Sequence, residues 1–144
     1  MTEQTNTAMT TPAQNTVQLA AEVMQTGMSY TDYNTADRKA AVDFYNAVSN
    51  PTGKLKEHVN EVLDMAHVSI EVAELKTGEL APRIIIVTAD GNSYQCVSIG
   101  VYQSLKRIFA LFGTPETWAE PLKIKPVLTS TAKGQVLSLQ LELV

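Results

Sequence analysis

The chain's chemistry-bearing side chains are tyrosines and bases rather than catalytic groups. An aromatic ring offers a π-face on which an unpaired base stacks, and a lysine or arginine follows a phosphate backbone. Spacing selects candidates among them. Tyr94 opens a β-like run directly after the Asp90-Gly91 turn, where a ring can stand at the rim of a sheet. In an extended reading, Tyr45 faces away from Val42 and Phe44. Lys123 and Lys125 share one strand face, with Ile124 on the other. Arg83 starts the β-branched run to Thr88, and Lys133 sits in the turn Ser130–Gly134. Each also has a plainer reading. A strand tyrosine packs more often than it binds, and alternating Lys-Ile-Lys is an ordinary solvated face that discourages edge-to-edge aggregation.

Other chemistries find little support. The glycines never form G-x-G, so no dinucleotide or phosphate-cradling loop is present. There is no G-x-S-x-G elbow. His58 and His67 are nine residues apart and make no i, i+4 metal pair on a helix. Glu57, Glu61 and Asp64 read as a solvated acidic face, and Cys96 as a small core residue. The expectation is a binding protein with no catalytic residues, metal, cofactor or small-molecule substrate.

Composition agrees with one domain. The 144 residues are 44% hydrophobic and 18% charged, which suffices for a core. No apolar run approaches membrane-spanning length, and the first residues lack a secretory pattern. A single cysteine excludes an internal disulfide and fits a cytoplasmic setting. The net charge of −4 is unevenly spread. Residues 1–75 carry four bases against ten acids, whereas residues 76–133 carry seven against four. An acidic total argues against a wrapped duplex binder and permits a local basic groove.

The elements that must position these groups follow from periodicity. Residues 1–37 read as a flexible Thr/Gln/Asn-rich segment, with a partial helix at 17–26 as an option. Residues from Arg38 read as β, with Val42, Phe44 and Tyr45 in a run closed by Asn50-Pro51-Thr52-Gly53. Val68-Ser-Ile70-Glu-Val72 alternates as a half-buried strand, and Arg83–Thr88 and Tyr94–Ser98 form a hairpin about Asp90-Gly91. The period then changes. Val101, Leu105, Ile108, Phe109 and Phe112 form one helical stripe, so an amphipathic helix is expected over about 99–112, capped by Ser98 and stopped by Gly113. Phe44, Phe109 and Phe112 are assigned to the core, Tyr102 to packing and Trp118 to one barrel end. Strands at about Leu122–Thr129 and Gln135–Leu143 follow. A mainly β chain whose long helix precedes its last two strands has the order of an OB-fold-like small barrel. An open α+β sheet with one covering helix is the alternative. From pattern alone the reading is a small β-barrel binding module.

Several segments resemble a known family. Ala89-Asp90-Gly91-Asn-Ser-Tyr94, the helix, Leu122-Lys-Ile-Lys-Pro-Val127, Thr131-Ala-Lys133-Gly134 and Ser138-Leu-Gln-Leu141 resemble the single-stranded DNA-binding proteins of protein-primed tailed phages. They resemble more closely the relatives in other Gram-positive phages and mobile elements. Ala81-Pro82-Arg83, Phe112-Gly113, Thr117-Trp118 and Phe44-Tyr45-Asn46-Ala47 join the shared text, which spans about Arg38 to Val144. The resemblance implies an OB-like single-stranded DNA-binding domain over 38–144 that coats displaced strands during replication and performs no catalysis. It implies a DNA-contacting role for Tyr94. Further binding tyrosines of that family match about Val68 to Gly78, where this chain has no aromatic residue, so Tyr45 or a residue from Tyr30 to Tyr33 would stand in. The expected interface is Tyr94, Tyr45, Arg83, Lys123, Lys125 and Lys133. The expected partner is single-stranded DNA, with self-association or replication proteins open and no membrane involved. A non-catalytic structural or adaptor barrel, as a virion component or protein-binding module, is the rival.

Overall fold

A computed structural model describes residues 30–143. Its strands are β1 (Tyr30–Thr31), β2 (Gly53–Lys54), β3 (Leu63–Glu74), β4 (Leu80–Thr88), β5 (Ser93–Val97), β6 (Leu122–Thr131) and β7 (Gly134–Glu142). Two α-helices accompany them, α1 (Arg38–Ser49) and α2 (Ile99–Phe112). The strands form one curled sheet in the order β2-β5-β4-β3-β6-β7, with β1 paired to β3. The architecture is mainly β and OB-like, with α2 ahead of the last hairpin.

β3 organises the curl. One edge pairs with β4 from Met65 to Glu74, with a register shift between Met65 and His67. Its first residues, Leu63 to Met65, pair with β6, and Ser69 and Ile70 pair with β1. A bulge bends a strand and raises its twist, which lets one strand serve both halves of the barrel. Val68, Ile70, Ile84, Ile86 and Ile124 point inward and meet Val101, Leu105, Ile108 and Phe109 of α2. Phe109 is fully buried, and burying a side chain of that size contributes about 1.5–3 kcal/mol. Ser98 caps α2 by accepting from the Val101 amide, and Gly113 ends it at φ 78°.

Three expectations change. The segment from Arg38 is a helix, not a strand. Asp37 caps it by accepting from the Ala40 amide, and Ala40, Phe44, Ala47 and Val48 form its sheet-facing stripe. Val42 and Tyr45 therefore point outward and are exposed. This helix explains the unbroken apolar run Ile84–Val87. Ile84 and Ile86 face the barrel, while Ile85 and Val87 pack against Ala47, so β4 is buried on both faces. Secondly, the folded unit reaches back beyond Arg38. Tyr30 is buried in the core, and the Asp32 carboxylate accepts from the Val68 amide at 2.6 Å and bonds His67 Nδ1 at 2.8 Å. The helical option at 17–26 lies outside the described residues. Thirdly, Phe112 is exposed, because the last turn of α2 runs past the barrel. Trp118 is half-buried against the core, and its Nε1 donates to the carbonyls of Phe112 and Gly113.

Candidate nucleic-acid interface

The six residues expected at the interface stand in different places. Tyr94 is 7% exposed and belongs to the barrel core. Its ring lies 4.4 Å from His58, tilted by 55°, and a Cβ on Gly53 would meet it at 3.8 Å. The cause is register. Tyr94 pairs with Ile86 across the β4–β5 hairpin and shares its inward face with Cys96. Tyr45 is 66% exposed on the outer face of α1.

The bases divide the same way. Arg83 donates from Nη1 to Glu71 Oε2 at 3.0 Å, from Nε and Nη2 to Gln95 Oε1, and from Nη2 to the Val48 carbonyl at 3.0 Å. It clasps β3, β4, β5 and α1 together. Lys123 pairs with Asp64 at 2.7 Å and Lys125 with Glu142 at 3.5 Å, both across strand neighbours. These two lysines lie opposite the buried Ile124, on the outer face of β6. Lys133 is exposed at the β6–β7 turn with no ion-pair partner among the described residues.

A different surface gathers unpaired bases. The seam between β5 and β7, which no strand pairing closes, forms a groove of about 770 Å³. Gln95 and Val97 of β5, Ile99 of α2, and Leu128 and Val136 of the last hairpin line it. Leu75, at the start of the β3–β4 turn, completes one end. Val97 and Ile99 are half exposed, so the groove offers apolar contact to an incoming ligand. Lys54 and Lys56 stand on its wall. Lys76 follows Leu75 in one flanking turn, and Lys133 precedes the lining residue Gln135 in the other. All four lysines are exposed, and none has an ion-pair partner among the described residues. The β3–β4 and β6–β7 turns that flank it occupy the places of the two loops that border the oligonucleotide face of OB-folds.

A family model described as phage single-stranded DNA-binding protein matches residues 24–142. The chain belongs to this family. The match spans every helix and strand of the described residues, including the β1 and α1 region ahead of the barrel. No curated protein and no solved structure matches significantly.

Within this phage single-stranded DNA-binding protein, sequence reasoning overlooked Lys54, Lys56 and Lys76. Lys54-x-Lys56 beside Gly53 was the available signal, but that these side chains line a groove and make no ion pair among the described residues is visible only in the assembled sheet. Cys96 lines the groove and packs against the core, and burial pushes its thiol up to about 12. No described helix is long and apolar enough to cross a membrane.

Proposed function

We propose that this protein coats displaced single strands without sequence preference during phage or mobile-element DNA replication in the bacterial cytoplasm, and that the strand lies along the β5–β7 groove. The observation that carries this reading is the pair of lysines without ion-pair partners, Lys54 and Lys56, on the wall of a largely apolar groove, with Lys76 and Lys133 in the turns that adjoin its lining residues. Lys54, Lys56, Lys76 and Lys133 contact phosphates, and the groove's apolar side chains receive bases and sugars. Apolar side chains and lysines dominate this surface, which favours tolerance to sequence. Tyr45, exposed on the outer face of α1, is a stacking face apart from the groove's lining. Tyr94 shapes the floor from below, Arg83 fixes the strands that carry the groove, and Lys123 and Lys125 serve the β6 ion pairs.

The test is a titration with oligo(dT), read by intrinsic fluorescence, with duplex DNA as control. The protein binds oligo(dT) in preference to duplex. Lys54→Glu together with Lys56→Glu weakens binding at least about tenfold and flattens the salt slope by roughly 0.7 for each phosphate contact removed. Lys123→Ala leaves the titration nearly unchanged. Loss of binding with Lys123→Ala but not with the double variant would move the track to β6 and end this reading.

A further inference from the structure

A second concavity lies on the other side of β2, between α1 and the β4–β5 turn. It measures about 470 Å³, within the roughly 300–1,000 Å³ of small-ligand sites. Its chemistry differs from that of the groove. The only charged residues lining it are Lys39 and Asp43, which pair with each other at 2.8 Å. It is therefore electrically balanced and offers little to an isolated anion. Asn46 of α1 and Asn50, the residue that ends α1, both line it. Both are exposed, and their side-chain amides make no hydrogen bond among the described residues, so the N–H donors and carbonyl oxygens of both are free to pair with a ligand.

One end of the cleft is a ring stack. Tyr33 lies 4.1 Å from the His67 imidazole at an interplanar angle of 19°. His67 is held by the Asp32 carboxylate, itself 2% exposed, while the imidazole remains 39% exposed. A π-surface of fixed orientation therefore meets a pair of free amides in a neutral, partly apolar hollow floored by Ala47 and Val87. A planar, uncharged ligand with hydrogen-bonding edges satisfies all of these features. An ion, a fatty chain or a carboxylate does not.

We propose that this cleft holds one unpaired nucleobase of the bound strand, stacked against the Tyr33–His67 ring pair and bonded at its edge by Asn46 and Asn50. The proposal rests on the family's binding of single-stranded DNA and adds a site outside the groove. The two surfaces are close enough to share a strand. Thr52 lines the cleft and Lys54 lines the groove, two residues and about 7 Å apart along extended chain. The groove then carries backbone and nonspecific contacts, and the cleft takes a base turned out of the track.

The experiment is an amide and side-chain nuclear magnetic resonance titration of the whole protein. It uses short oligo(dT) and an abasic oligomer of the same length. With oligo(dT), the Asn46 and Asn50 side-chain amides and the Gly91 and Ser93 backbone amides shift, and with the abasic oligomer they do not. Asn46→Ala with Asn50→Ala weakens oligo(dT) binding roughly tenfold while the helical circular dichroism is retained. Shifts confined to the groove around Lys54 and Val97, or cleft shifts of equal size with the abasic oligomer, overturn the base site and leave the groove reading standing. Cleft shifts with a silent groove do the reverse.

Discussion

Helices α1 and α2 each cover part of the sheet that no strand reaches, with different chemistry. Helix α1 lies on the outer face of β4 and binds through packing, Ala47 and Val48 against Ile85 and Val87, with the Arg83 guanidinium reaching the Val48 carbonyl. Helix α2 fills the barrel with Val101, Leu105 and Phe109, and its first turns also press on the free edge of β7. There Ser98 Oγ donates to the Leu137 carbonyl at 3.3 Å, and the Leu139 amide donates to Ser104 Oγ at 3.1 Å. Two serines thus satisfy backbone groups that a closed barrel would give to a β5–β7 ladder. The contrast shows how one sheet holds a sealed face and an open seam. Where α1 packs, the nearby base is consumed in structure. Where hydroxyls substitute for a strand, the seam stays wide enough to be a groove and its lysines stay free.

The largest expected effect comes from closing that seam too tightly. A Cβ on Gly100 would stand 2.2 Å from the Leu137 carbonyl oxygen and 2.8 Å from a Val136 methyl. The first of these neighbours is backbone, so either α2 or β7 must move. Gly100→Val should cost about 3 kcal/mol, the upper end of ordinary overpacking, beyond anything that helix propensity returns. Thermal unfolding measures it. A melting temperature equal to that of the parent would mean that α2 does not ride on the β7 edge.

Arg83→Ala probes the sealed side. It removes a charge-assisted bond to Glu71 and leaves Gln95 and the Val48 carbonyl without their donor. The expected loss of stability is about 2 kcal/mol, a moderate value because Glu71 keeps contact with water. Oligo(dT) affinity of the folded fraction should hold within about twofold, since the guanidinium serves structure. A large fall in affinity at unchanged stability would return Arg83 to the binding surface and erase the distinction between the two regions.

The legible parts of this molecule were those where one period and its punctuation agreed. Helix α2 could be bounded at both ends because an unbroken 3.6-residue stripe runs between Ser98 and Gly113. The β3–β4–β5 meander and the last hairpin follow from alternation and turn residues. Helix α1 was hidden by composition. Val42, Phe44 and Tyr45 favour strands, yet two of them face solvent, and the informative stripe is the modest Ala40, Phe44, Ala47, Val48 behind the Asp37 cap. Placement of Tyr94 was recoverable. It shares parity with Cys96, so a core assignment for the cysteine carries the tyrosine inward too. Pairing of the bases was not recoverable, because Arg83–Glu71 and Lys123–Asp64 depend on which strands become neighbours and in what register.

The smallest effect separates the two regions by pH. Cys96, on the seam side, has its thiol raised from 9.0 to about 12 by burial. Tyr33, on the α1 side, has its phenol raised from 10.0 to about 12 by burial and then by the charges of Asp32 and Asp43. For both, the folded state holds the proton more tightly than the unfolded chain. Their contribution is therefore complete below the unfolded pKa and is lost as pH climbs through the folded one. Denaturant midpoints should fall from about pH 9 upward. Cys96→Ala should delay that fall to near pH 10, where phenol ionisation begins, and Tyr33→Phe should leave the onset in place and reduce the slope above it. If Cys96→Ala left the onset unchanged, the thiol would already be reached by solvent through the groove it lines.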